Sequence, residues 1–513
     1  MRRLLALSSC QLLRRFRRDA RGNVATIFAA TSIPIVTMAG VVIDYGANSS
    51  ARQQLQNAVD ATTLSLAKLP LSLTDQQLSD RANTQIKAAM TGSQVVNLTI
   101  TTTRSDSNYT VTATGTTPTT LTKIVGFKTL PLNVTGTTKR GSGNLEIAMV
   151  LDNTGSMAGA KLTNLKSAAT TMVNNLFAQV DPSKPNSLKI AIVPFSQTVN
   201  VGSSNISASW LDTAGLASYH SQLFASKVNR LALFAAMGVP WGGCVESRMM
   251  PYDVQDTTAS ATAPDTLYVP YFAPDESDND SYASNDYLKD YSNSTNDRTR
   301  QASISKYTSN TWTVSKTSRN SSTTYLYGPN AGCDMQPITP LTTSQSTITT
   351  ALSKLTVSGD TNIPMGLVWG WHNLSPTGPL VKGAAYSDQT TRKFIILMTD
   401  GENQSTLNYS NNGSYYSGIS YIWADRLGNF NEYSSNASRT AALDSRLSTL
   451  CTNIKAAGIQ IFTVRVEVTS GTSTLLQSCA SSPSMFYDVS NSANLTAAFQ
   501  AIGSQISELR LSN

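Results

Sequence analysis

The sequence predicts an α/β protein in three parts: a transmembrane helix, a small α+β module, and a large doubly wound domain built on a parallel sheet. Three observations carry that expectation. Residues 24–43 (VATIFAATSIPIVTMAGVVI) are 20 consecutive residues without a charge, about the length that crosses ~30 Å of hydrocarbon. From residue 145 onward, short apolar runs alternate with amphipathic stretches, the pattern of βαβ units. Two of those runs end in an aspartate with a glycine close behind, at Asp152 and Asp400. At 513 residues the chain has room for several domains, since one domain typically takes ~100–200 residues.

The first 22 residues hold Arg2, Arg3, Arg14, Arg15, Arg17, Arg18 and Arg21 against Asp19 alone. The net charge of +7 therefore sits almost wholly in this segment. The basic balance belongs to a tail and not to a nucleic-acid-binding face. Arginines before an apolar span place the N-terminus in the cytoplasm. A cleaved signal peptide would have a shorter apolar run, ~7–15 residues, with small residues directly behind it. Here the run is longer and ends in Asp44-Tyr45-Gly46, which favours an uncleaved anchor. The expected division is a cytoplasmic tail over 1–22, an anchor over 23–44, a helix–strand module over 45–138, a linker over 139–144 and the large domain over 145–513.

Within the module, Ala51, Leu55, Val59, Thr62 and Leu66 recur at helical spacing. Leu69-Pro70 interrupts them, and Thr74 with Gln77 reads as a capping box for a second helix with a stripe of Leu78, Ala82, Ile86 and Met90. Residues 94–137, rich in Val, Ile, Thr and Tyr, read as short antiparallel strands. In the large domain the expected strands are 145–151, 188–195, 393–399 and 459–466. The expected helices carry Leu162, Leu165, Ala169, Met172 and Leu176; then Leu443, Leu447, Cys451 and Ile454, closed by Gly458; and finally Leu495, Phe499, Ile502, Ile506 and Leu509. Residues 200–340 and 402–438 interrupt the alternation as insertions with local structure.

Charged residues are only 14% of the chain, below the ~25% usual for soluble domains, and Ser, Thr and Asn replace them. Beyond Cys10 in the tail there are four cysteines, Cys244, Cys333, Cys451 and Cys479. An extracytoplasmic domain with four cysteines suggests two disulfides. Three pairings are open. Cys244–Cys333 with Cys451–Cys479 is favoured because each pair lies within one candidate structural unit. Neither pair has the short spacing of a zinc site.

In an open parallel sheet, ligands bind beyond the carboxyl ends of the strands. Asp152 stands there in IAMVLDNTGSM (147–157), with Thr154 and Ser156 at alternate positions on the following turn. Asp400 ends the strand of FIILMTDGEN (394–403), and a third polar loop, SGDTNIPMG (358–366), precedes a helix with Pro364 in its first turn. Carboxylate and hydroxyl oxygens suit a hard divalent cation. Taken singly, strand-end aspartates commonly cap turns and helices instead.

Asp152-x-Thr154-x-Ser156, then Thr361, then Asp400 resembles the metal-ion-dependent adhesion site of von Willebrand factor type A domains. The more usual form has Ser where Thr154 stands, and the hydroxyl is kept. The resemblance implies that Thr154, Ser156 and Thr361 ligate the ion through hydroxyls. It also implies that Asp152 and Asp400 act directly or through water, and that a ligand carboxylate completes the sphere. Mg²⁺ is the expected ion, with Mn²⁺ and Ca²⁺ as alternatives. The segment also bears on the Asp-x-Asp-x-Thr loop of haloacid-dehalogenase-like phosphatases, but Thr154 replaces the second acid and removes the general acid. No GxxxxGK[ST] loop is present, and no enzyme is expected.

Weaker signals are FAPDESDNDSY (272–282) and the aromatic stretch after Asp400. The first reads as a solvated acidic loop, with calcium binding through Asp275, Asp278 and Asp280 as the sharper alternative. The second holds Tyr409, Tyr415, Tyr416, Tyr421, Trp423, Phe430 and Tyr433 and reads either as a ligand-contacting lid or as plain loop packing. Trp369 and Trp371 read as core.

Over nearly the whole chain, RRDARGNVATIFA (17–29), VVIDYG (41–46), RQQLQNAVDATTLSLAK (52–68), WGGC (241–244), YVPYFAPDE (268–276) and YGPNAGC (327–333) resemble the TadE/TadG-like proteins of the tight-adherence (Flp-type) pilus system, TadG type. The resemblance implies a bacterial inner-membrane, single-pass protein with most of its chain periplasmic. Its expected partners are pilus or secretion-machinery proteins, bound through an acidic residue of the partner. A surface adhesin acting directly in attachment is the alternative. Pseudopilins of this system are cut after a Gly that has Glu five residues on; after Gly22 that residue is Ile27, so an intact anchor is expected.

Overall fold

The computed structural model describes residues 23–67, 69, 73–105, 108–139, 143–280, 283–290, 294–309, 327–380, 382–404, 413–431, 434–468 and 473–511. The expected tail 1–22 with Cys10, residues 140–142 of the linker, and Tyr282, Tyr409 and Tyr433 lie outside these residues. The chain divides into two compact units, Met1–Arg140 and Gly141–Asn513.

The first unit is an α+β module. Helix α1, Asn23–Ala67, is 45 residues long, or about 68 Å at 1.5 Å per residue. Within it, residues 27–67 include a window apolar and long enough to cross a membrane. Its C-terminal half buries Ala51, Leu55, Val59 and Leu66 on a three-stranded antiparallel sheet of β1 (Val96–Ser105), β2 (Asn108–Pro118) and β3 (Thr129–Lys139). Helix α2, Asp75–Ala89, opens on the expected capping box. The Gln77 N–H donates to the Thr74 hydroxyl, and the Thr74 N–H donates to Gln77 Oε1 at 2.9 Å. The expected division put the end of the anchor at residue 44 and the start of the module at 45; the structure runs one helix through both. A single glycine costs a helix only ~1 kcal/mol. Asp44 does not cap α1; its carboxylate bonds to the β2–β3 loop.

The second unit is doubly wound. Its strands are β4 (Asn144–Asp152), β5 (Leu188–Phe195), β6 (Thr339–Thr342), β7 (Thr391–Thr399), β8 (Gln460–Val466) and β9 (Phe486–Val489). They lie in the order β9-β8-β7-β4-β5-β6, all parallel except β6. The central strands are apolar throughout because both faces are covered. On one face Ile147, Met149 and Leu151 pack with Leu165, Ala169 and Met172 of helix α3 (Ala160–Phe177) and with Phe499 and Ile502 near the C-terminus. On the other, Ala148 and Val150 pack with Leu367 and Trp369 of helix α5 (Ile363–Leu374) and with Leu447 and Ile454 of helix α6 (Asn436–Ala456). Helix α4, Gln345–Ser353, lies on the α3 side through Ile348 and Leu352. Helices α7 (Thr474–Cys479) and α8 (Leu495–Leu511) complete the unit.

The two short edge strands, β6 and β9, carry too few residues to show a pattern and were not legible in the sequence. Gly458, with φ +80°, follows α6 as expected. The disulfides are Cys244–Cys333 and Cys451–Cys479.

The insertions do not stand apart from the domain. Trp210, Leu211, Phe234, Trp241 and Phe272 belong to the same apolar cluster as Val150, Val193 and Trp369. Arg230 and Arg426 flank the buried Glu246 at 2.7 and 2.9 Å, so one ionic cluster joins both insertions. The acidic loop departs from its expected solvated state. Asp275 is fully buried, pairs with Lys306 at 2.8 Å and accepts the Tyr287 and Leu288 N–H groups. Its charge is already matched within the chain, and the calcium alternative loses that ligand.

Candidate functional site

The site forms where three loops meet beyond the carboxyl ends of β4 and β7. β4 brings Asp152 to the sheet edge, where it is fully buried. The Thr154 N–H donates to Asp152 Oδ1 at 2.8 Å, and Thr399, the last residue of β7, donates its hydroxyl to Asp152 Oδ2 at 2.6 Å. Thr154 Oγ lies 3.0 Å from Ser156 Oγ, and Ser156 Oγ donates to Asp400 Oδ1 at 2.7 Å. Asp152, Thr154, Ser156 and Asp400, taken from two segments of the sequence, thus share one connected polar cluster. Thr154 and Asp400 are buried, whereas Ser156 is exposed at the mouth.

Thr361 enters through backbone bonds. The Gly155 N–H donates to Gly359 O, Ser358 N–H to Asn153 O, and Gln404 N–H to Thr361 O, at 3.1, 2.7 and 2.8 Å. The third loop is therefore bonded to both others, and Thr361 is itself buried. Asn362 caps α5, its side chain accepting the Met365 N–H, with Pro364 in the first turn.

The electrostatics of the cluster follow from burial. Loss of water raises the Asp152 carboxyl from 3.8 to about 6. The hydrogen bonds from Thr399 and Thr154 oppose that rise, and the charge of Asp400 adds to it. Two carboxylates so placed favour a positive charge beside them. Lys161, in the first turn of α3, supplies one at 2.6 Å from Asp400 Oδ2.

The donor set fits a hard cation. It consists of oxygens only, and no group of three or more His, Cys, Asp or Glu side chains suited to a metal occurs among the described residues. Beside the third loop, the acceptors Asn153 Oδ1 and Ser196 Oγ are buried with no hydrogen-bond partner among the described residues, which leaves polar demand unmet next to the site.

Sequence reasoning missed Lys161, Thr399 and Asn403. Asn403 Oδ1 accepts the Ile363 N–H at 2.9 Å, and its amide donates to Asp444 of α6 at 2.8 Å. Asn403 therefore ties the third loop to a neighbouring helix. The MTDGEN segment contains it, but nothing in the sequence says where its amide goes. Of the two readings of the aromatic stretch, Tyr416 and Tyr421 follow plain loop packing. Tyr416 and Tyr421 are buried in the insertion core, donating to Glu246 and Glu276 at 2.5 and 3.0 Å. A polar cleft of about 270 Å³, lined by Tyr386, Asp388, Arg392 and Gln460, lies at the opposite, amino ends of β7 and β8.

Residues 22–67, which are α1 and the glycine before it, match the Flp pilus-assembly TadE/G-like family (Tad). The N-terminal segment is TadE/G-like. That match coincides with the apolar helix. No curated protein matches the chain. Among solved structures, proximal thread matrix protein 1 from the mussel byssus is 13% identical, covering 71% of this chain and 46% of its own, with a TM-score of 0.29. Another structure of that protein has a zinc-occupied MIDAS motif. The pilus adhesin SpaC of Lactobacillus rhamnosus GG is 11% identical over 80% of this chain and 34% of its own, at a TM-score of 0.33. The pilus adhesin RrgA of Streptococcus pneumoniae is 11% identical over 80% and 48%, also at 0.33. This chain thus spans about a third to a half of the length of these proteins. At such scores the likenesses say nothing of the site, which rests on this chain's own residues.

Proposed function

We propose that this chain is a non-enzymatic component of Flp-type pilus assembly that binds partner proteins through a divalent cation at the β4–β7 edge. Asp152, Thr154, Ser156, Thr361 and Asp400 would hold the ion, Mg²⁺ first, with Mn²⁺ or Ca²⁺ as alternatives. When bound, the ion supplies an open coordination position for a carboxylate of the partner. The observation that supports this reading above others is the Thr154–Ser156–Asp400 hydroxyl–carboxylate run at the carboxyl ends of two central parallel strands.

Charge makes the same point. Asp152 and Asp400 together with Lys161 carry one net negative charge when the carboxylates are ionised. A divalent ion leaves the site one positive charge in excess, which favours an acidic side chain. Exposed Ser156 marks the side from which that side chain would enter. In this reading α1 anchors the chain in the inner membrane, with the N-terminus cytoplasmic and the larger unit periplasmic. The apolar window in α1 and the TadE/G-like match over the same residues support it.

The test is thermal unfolding of the full chain in detergent, with EDTA or with millimolar Mg²⁺, Mn²⁺ or Ca²⁺. Binding to the folded state alone stabilises it by ~2.7 kcal/mol at 100 times Kd. A cation-dependent rise in Tm that disappears in both Asp152→Ala and Asp400→Ala is expected. A rise that survives both substitutions would remove the site from these residues.

A further inference from the structure

The β2–β3 loop of the first unit, TTLTKIVGFK (119–128), is held against α1 at one level. Asp44 accepts the N–H groups of Thr120, Leu121 and Thr122 at 2.9, 3.0 and 2.8 Å, and the Thr122 hydroxyl at 2.8 Å. Just before Asp44, a Cβ on Gly40 would lie 2.6 Å from the Leu121 Cβ, so only glycine lets the loop come this close. Gly40 is three residues inside the apolar stretch that ends at Ile43, which is about 4.5 Å along the helix axis. The loop is thereby fixed in register with the last turn of the span.

What the loop exposes there is apolar. Ile124 is 74% exposed, Val125 44% and Phe127 65%. Single exposed apolar side chains are ordinary, but three within four residues at the end of a membrane-length helix are not. In the last turn of the span, α1 likewise exposes Val41 and Val42. Exposed Lys123 and Lys128 flank the three loop residues, and Tyr45 stands exposed one residue beyond Asp44. Apolar side chains with lysines and a tyrosine at a span's end form the composition of a headgroup interface.

We propose that the 119–128 loop is a second membrane contact. Ile124, Val125 and Phe127 enter the headgroup–acyl boundary of the leaflet in which the apolar span of α1 ends, and Lys123 and Lys128 meet anionic phospholipid headgroups. Asp44 and Gly40 couple the loop to the helix, so the first unit meets the bilayer at two points and cannot swivel freely about α1. This rests on the anchoring reading above.

The test is spin-label depth measurement on the full chain in vesicles of phosphatidylethanolamine and phosphatidylglycerol. A Cys10→Ser background leaves no free thiol, because the other four cysteines are disulfide-bonded, so each introduced cysteine is the one reactive site. Labels go at Phe127→Cys, at Val36→Cys in the span, and at Thr137→Cys, exposed near the far end of β3. The expected result is a severalfold higher ratio of oxygen to nickel-chelate collisions at 127 than at 137, with a still higher ratio at 36. A ratio at 127 equal to that at 137, with 36 in the bilayer, overturns the loop contact and leaves the anchor standing. Low collision with both reagents at 127, as in contact with a second copy, overturns it as well. A water-exposed label at 36 overturns the anchor, and the loop contact with it.

Discussion

Lys161 shares Asp400 with Ser156, so its ammonium and an incoming cation compete for one carboxylate. The lysine is 22% exposed while the Asp400 side chain is fully buried, and solvent weakens the pair accordingly. Lys161→Gln is therefore expected to tighten cation binding by roughly fivefold, for a lost competitor worth ~1 kcal/mol. A titration of Tm against Mg²⁺ reads this directly, and unchanged or weaker binding would show that Lys161 supports the site. His372, near the end of α5, is a second informative residue. Burial lowers its pKa from 6.5 to about 4, with its Nε2 2.5 Å from the Tyr268 hydroxyl. A histidine depressed in the folded state contributes stability that is present above pH 6.5 and is lost as the pH falls toward 4. The loss attributable to it is roughly 3 kcal/mol at the acid end, at 1.36 kcal/mol per unit. Denaturant unfolding between pH 7 and 4 is expected to show a smaller acid loss in His372→Gln than in the parent chain. Parallel pH profiles would assign the loss to other groups.

Helix α5 is the element on which the site's third loop depends, and two glycines set its height above the sheet. A Cβ on Gly366 would lie 2.4 Å from the Phe195 ring, and one on Gly370 would lie 2.4 Å from Val150 Cγ2. The glycines are four residues apart and share a face, so backbone packs directly on β4 and β5. Gly370→Ala should cost ~1–3 kcal/mol through overpacking, although alanine is the better helix former. Combined with Val150→Ala, it should cost less than the sum of the two single changes, because the second makes room for the first. Urea unfolding of the four chains completes that cycle, and strict additivity would mean that the helix shifts freely. The sequence showed α5 as apolar with Pro364 at its start, but the closeness of its approach is a property of the packed pair.

At the scale of the whole molecule, the anchor and the site make separate claims. An inner-membrane chain should sediment with membranes, resist extraction by alkaline carbonate, and become soluble when residues 24–43 are deleted. Protease added to intact cells should leave it whole, and protease added after outer-membrane permeabilisation should degrade the part after the span. Cleavage in intact cells would favour the adhesin reading instead. The insertions matter at this scale too. Their aromatic residues and the Arg230–Glu246–Arg426 cluster extend the core on the α5 side, and little of this was legible from the sequence. Residues 200–340 and 402–438 are polar in composition, with long-range pairings that no local period announces. Asp275 with Lys306 shows why: the partners are 31 residues apart, and only folding makes the loop buried.

By itself the sequence determined the apolar span, the capped helix α2, the four central strands, the disulfide partners favoured by their placement and the order Asp152, Thr154, Ser156, Thr361, Asp400. Each of these depends on local period, residue chemistry or position in the chain, which a linear sequence carries. The tertiary structure alone gave the Asp44 carboxylate its partners, because the loop that donates to it lies 76 residues away. It alone brought Ser156 to Asp400 across 244 residues, set Lys161 and Thr399 on the two carboxylates, and placed Asn403 between the third loop and α6. Burial and cross-chain hydrogen bonds arise only when distant segments pack, so the residues that tune the site stayed hidden while those that name it were in view.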